Sequence, residues 1–150
     1  MKRTAALLGA IALVVCWWVA GTPQAMADEF ISHAPKTARV YIIEPQNGDT
    51  VTNPFTIQFG LSGMEVAPAG VEKVNSGHHH LLVDVAELPD MRMSLPKSDS
   101  VRHFGKGQTE TELTLPPGKH TLQLLLGNHL HIPHDNPVLS DKIEITVEPS

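Results

Sequence analysis

From residue 39 onward, apolar side chains recur at every second position in short runs broken by Pro, Gly and Asn. That period of two predicts β-strands rather than helices. Residues 39–45 (RVYIIEP) form a first strand, stopped at the turn PQNGDT. Residues 55–62 alternate Phe55, Ile57, Phe59 and Leu61 against Thr56, Gln58, Gly60 and Ser62, giving one apolar and one polar face. Residues 78–85 place His79, Leu81, Val83 and Val85 on one face and His78, His80, Leu82 and Asp84 on the other. The Pro- and Met-bearing stretch 87–107 has room for a short edge strand. Residues 108–115 and 119–126 flank Pro116-Pro117-Gly118, for which a tight antiparallel hairpin is the simplest reading. A loop follows, and residues 142–148 close the pattern with Ile143, Ile145 and Val147 facing in. No segment carries helical periodicity. About seven short strands separated by turn signals predict an all-β fold, an immunoglobulin-like antiparallel β-sandwich.

The first 27 residues follow a different grammar. Lys2 and Arg3 precede an apolar run from Ala5 to Ala20, then Thr22-Pro23-Gln24 and the small-residue pattern Ala25-Met26-Ala27. This is the pattern of a cleaved signal peptide, with processing after Ala27. The apolar run is shorter than the roughly 20 residues a membrane span requires, and no later segment would stop transfer. The expected product is a soluble periplasmic protein with no membrane span after cleavage. Bulky Val15 before Cys16 argues against a lipid-bearing cysteine, so the only cysteine leaves with the leader. Residues 28–38, without periodicity, read as a flexible lead-in, and residues 39–150 as one domain.

The whole chain has a formal charge of −5. Removing the leader takes away two cations and no acid, which makes the remainder more negative. Such a balance gives no footprint for nucleic acid or anionic lipid and suits a cation.

Without a thiol, a metal site must use nitrogen, oxygen or thioether donors, and the chain has nine histidines. The hairpin reading puts His103, His129, His131 and His134 at one end of the domain and His120 at the other. In an immunoglobulin-like sandwich the third strand pairs antiparallel with the sixth, which brings the His78-His79-His80 run to that same end. The expected ligands are His78, His80, His103, His129, His131 and His134. His78 and His80 share one strand face; His79 points with the core residues and packs inward or supports a ligand. His33 and His120 read as ordinary surface or core residues. A short histidine run is by itself a compositional signal of modest specificity, and its convergence with HLHIPH is what strengthens it.

The remaining chemistry is weaker. Met64, Met91 and Met93 offer thioethers, although methionine more often fills gaps. Asp84, Glu110 and Asp135 have the chemistry to complete a site, but exposed carboxylates are usually solvated. Gly105 and Gly107 read as backbone devices, since no helix follows to make a phosphate cradle. Ser76 lacks the strand–turn–helix context of a hydrolase nucleophile.

SGHHHLLVDV, HFGKGQTETELTLPPGKHTLQLLLGNHLHIPH and SDKIEITVEPS together resemble the bacterial exported proteins grouped as domain-of-unknown-function family 4399. The resemblance spans about residues 40–148 and implies a small periplasmic β-sandwich. It implies no activity and no ligand set.

The leading expectation is a periplasmic protein that sequesters or delivers a copper ion, with zinc the alternative, and that is not an enzyme. Its partners would be the ion and a periplasmic or membrane metal-handling protein, and its affinity would fall as the imidazoles titrate near pH 6.5. Two other classes stand beside it: a metal-free structural or interaction module of the cell envelope, and a histidine-ligated metalloenzyme. The second of these needs an open coordination position.

Overall fold

The structure, a computed structural model, describes residues 29–149. The expected signal peptide, Cys16 and the expected start at Asp28 lie outside the described residues. Among the described residues nine strands succeed one another: β1 (Arg39–Glu44), β2 (Thr50–Val51), β3 (Phe55–Ser62), β4 (Glu65–Val66), β5 (Ser76–Val83), β6 (Val101–His103), β7 (Glu110–Leu113), β8 (Gly118–Gly127) and β9 (Ile143–Val147). The described residues contain no helix, as the period of two predicts.

The strands form two sheets, one ordered β1-β3-β7 and the other β2-β9-β8-β5, with β4 and β6 both pairing β5 along its remaining edge. Every pairing is antiparallel except β2 with β9 and β4 with β5. This is the strand order of an immunoglobulin-like sandwich, in which β5 and β8 are the third and sixth principal strands. Alternation along β3, β5, β8 and β9 turns Ile57, Phe59, Leu81, Leu122, Leu124, Leu126, Ile145 and Val147 into the space between the sheets, where they make the main core.

The outer face of the larger sheet is also covered. Leu82, Leu95, Val101 and Leu125 form a second buried cluster with Val85, Met91 and Leu139 packed against it. All eight residues of β5 are buried, because this strand has a dry environment on both faces. Leu82 and Leu125, which the alternation turns outward, therefore face a small core and not solvent.

One expectation is overturned. Residues 108–115 and 119–126 do not form a hairpin: β7 pairs β3 in one sheet, while β8 pairs β5 and β9 in the other. Pro116 and Pro117 have no N–H to offer a ladder, so the segment works as a crossover between sheets. The Asn53 side chain secures it by accepting from the Leu115 N–H at 3.2 Å and donating to the Leu115 carbonyl at 2.7 Å. The expected edge strand in 87–107 is β6.

The segment before β1 has no regular element yet makes defined contacts. Ala34 and Ala38 belong to the main core, and the Asp135 N–H donates to the Ser32 carbonyl at 3.0 Å.

Candidate metal centre

Two histidines come from β5 by alternation. His78 and His80 stand two residues apart on its outer face, at 0% and 1% exposure. The third comes from the neighbouring edge: His103 ends β6 and lies directly opposite His80 in the ladder. The fourth, His131, sits in the turn after β8 with φ of 65°, a left-handed conformation that few non-glycine residues adopt. β8 brings that turn alongside because His78 pairs with Gly127.

The four imidazoles pack as a knot, with centroids 4.4–5.8 Å apart in all six pairs. One potential ligand nitrogen from each ring lies within 4.8 Å of the other three. Four donors at about 2.0–2.1 Å from one ion stand roughly 3.3 Å apart in a tetrahedron, so closing the site on an ion takes adjustments of side-chain size. Nε2 of His78 and Nδ1 of His131 are already 3.0 Å apart, sharing a hydrogen bond. Nδ1 of His78, Nδ1 of His80 and Nε2 of His103 are buried without any hydrogen-bond partner among the described residues. The cluster can hold a metal ion.

Two glycines make room for it. A Cβ on Gly127 would stand 2.6 Å from Cε1 of His80, and one on Gly105 2.3 Å from Cε1 of His103. Gly105, read from sequence as a backbone device, is also a clearance for a ring, and Gly127 clears another.

Burial sets the protonation. His78 is pushed down to about 3, first by desolvation and then by the facing rings of His131 and His103. His80 falls to about 3 for the same leading reason, with the rings of His78, His103 and His131 adding to it and the His78 backbone opposing it. Desolvation also lowers His103, helped by His131 and by the Lys97 cation. Neutral imidazoles with free lone pairs are the form that binds a metal.

The other histidines are placed elsewhere. His134 is buried, its Nε2 3.2 Å from the Ser76 carbonyl, outside the four. His129, also expected as a ligand, is not among them. His79 faces the main core with its ring 5.2 Å from Phe59, and desolvation lowers it to about 4 despite the Gln108 backbone. Neither of its ring nitrogens makes a hydrogen bond of ordinary geometry. His33 pairs with Asp135 at 2.8 Å, and His120 with Asp84 at 2.7 Å and the Pro116 carbonyl at 2.8 Å. Asp84 and Asp135 are thus committed to these partners, and Glu110 is exposed on β7. The four-residue group contains no carboxylate.

No curated protein and no solved structure matches the chain. The profile of the family described as Domain of unknown function (DUF4399) matches residues 57–148, from the middle of β3 to the end of β9, a span that includes all four clustered histidines. By that match the chain belongs to the DUF4399 family.

Proposed function

We propose that the protein is an exported carrier that binds one transition-metal ion through His78, His80, His103 and His131, with copper the preferred cargo. The observation that carries this reading is the set of buried ring nitrogens left without partners. An unpaired buried group costs about 1–3 kcal/mol, and three ring nitrogens of the cluster are in that state. Here one ring nitrogen of each of the four histidines lies within 4.8 Å of the other three, close enough for a single ion to draw on all four.

Copper(II) lies above zinc in divalent affinity for nitrogen sites, which places copper first and zinc second. Four imidazoles fill a tetrahedral or square-planar sphere. That suits holding an ion better than activating a substrate on it, which needs an open position. The leader-like residues 1–27 supply the reason to place this work in the periplasm, with a membrane or periplasmic metal-handling protein as donor or acceptor.

The test is a titration of the tag-free protein with copper(II), copper(I) and zinc against a competing chelator, repeated on His78→Ala/His80→Ala. One-to-one binding of micromolar affinity or tighter, abolished in the variant, is the expected result. Equal and weak uptake by both proteins would refute the carrier.

A further inference from the structure

Three of the clustered histidines are held by ladders; the fourth is not. His78 and His80 are fixed by β5 and its pairing with β8, and His103 by pairing with β5. His131 sits in a turn, in a left-handed conformation, and something else must hold it there.

The Leu95 N–H does part of this, donating to the His131 carbonyl at 2.9 Å, and the rest falls to Asn128, which is 1% exposed. Its Oδ1 accepts from the N–H of Leu130 at 2.9 Å and of Ile132 at 3.1 Å, the two residues on either side of His131. Its backbone closes the same turn, donating to the Ile132 carbonyl and accepting from the His131 N–H, both at 2.9 Å. Its Nδ2 reaches the other way, to the Phe30 carbonyl at 2.8 Å and Ser32 Oγ at 3.1 Å. All four hydrogen-bonding positions of this amide are used. Residues 30–34 also hold the far end of the loop: Asp135 donates its N–H to Ser32, accepts from the Ala34 N–H at 3.1 Å, and pairs with His33.

We infer that Asn128 is the positioning residue of the metal centre, presenting His131 as its fourth ligand, and that residues 30–34 are the strap that secures it. The inference rests on the metal-binding reading and adds to it a residue that never touches the ion. Positioning groups of this kind are worth about 10- to 100-fold in metal affinity.

The test uses the tag-free protein with copper(II) alone as probe, reading affinity against a chelator and the number of coordinated imidazoles by pulsed electron paramagnetic resonance. Four imidazoles are expected in the parent protein and three in His131→Ala. Asn128→Ala should also show three, with affinity about 10- to 100-fold weaker. Asn128→Ala/His131→Ala should be no weaker than His131→Ala alone, because both changes remove the same ligand. A residue that merely stabilises the fold would leave four imidazoles, or would weaken the double variant further; either result overturns the assignment.

Asn128→Asp keeps both accepted bonds and loses the two donated to the strap. It should release copper at least tenfold faster despite its added negative charge, and an unchanged release rate overturns the strap. Should the alanine variant not fold, the aspartate variant carries the test. A parent protein that binds no copper refutes the carrier itself, a result distinct from a parent that binds and an Asn128→Ala that keeps four imidazoles.

Discussion

Replacing His79 with leucine separates the cost of a buried imidazole from the chemistry of the site beside it. His79 is fully buried on the core face of β5, and its folded-state value is about 4, against about 6.5 for a free imidazole. In the unfolded chain the ring takes a proton as the pH falls below 6.5, while the folded protein resists until about pH 4. Stability is therefore fully present above pH 6.5, declines across that window, and has lost the whole contribution below it. The difference of 2.5 in pKa corresponds to about 3 kcal/mol at 25 °C. His79→Leu should remove that much of the acid-induced loss. At pH 7.5 the variant should be as stable as the parent or more so, because it no longer buries two unpaired nitrogens. The assay is urea unfolding followed by far-ultraviolet circular dichroism, in chelator, at pH 7.5, 5.5 and 4.0. Copper binding at pH 7.5 should be unchanged, since the ring faces away from the cluster. An equal acid loss in the two proteins, or a leucine variant weaker by more than about 1 kcal/mol at pH 7.5, would refute the reasoning.

Other expectations follow from the same geometry. Gly127→Ala drives a methyl group into the His80 ring and should cost about 1–3 kcal/mol in urea unfolding while weakening copper binding. Free metal at 100 times its dissociation constant should raise the unfolding free energy by about 2.7 kcal/mol, reversed by chelator. Because His78 and His80 are both held near 3, bound metal should survive equilibrium dialysis at pH 5.5; a release midpoint near 6.5 would count against the buried geometry. Burial lowers His120, but the Asp84 hydrogen bond, the Pro116 carbonyl and the Asp84 charge together raise it. That pair should stabilise the fold below pH 6.5 and cease to do so as the pH rises through the raised value. In Asp84→Asn the increment, about 0.5–1 kcal/mol, should vanish from urea unfolding at pH 5.5 compared with pH 8.5.

The longer strands were legible because each buries one face or two, and the period of two records it; the two-residue strands β2 and β4 are too short to show a period and were not expected. So was the shared face of His78 and His80, which needs only the pleat. His103 was placed in the right company by the wrong route. The hairpin was read from Pro-Pro-Gly, whereas the crossover is enforced by Asn53, 62 residues upstream of the Leu115 groups it binds. No local pattern encodes such a contact. The late loop offered His129, His131 and His134 on equal terms, and sequence spacing could not choose between them. The choice is made by the φ of His131 and by a tight turn closed on Asn128. A Gly-Asn pair at a strand end signals a turn, but not that the asparagine side chain would grip the residues flanking a ligand.

The four histidines also differ in how much structure must open to free them. His78 and His80 belong to a strand with neighbours on both edges and cover on both faces, so their amides should exchange with solvent only on global unfolding. His131 is knotted to Asn128, whereas His103 ends a three-residue strand at the sheet margin, where fraying is cheap. An ion held here would leave in sequence, His103 letting go first and the β5 pair last. Its residence time would follow the microsecond-to-second motions of an edge and a loop rather than the lifetime of the fold. A recipient could enter the coordination sphere at the vacated corner and take the ion by exchange, with the sandwich intact throughout.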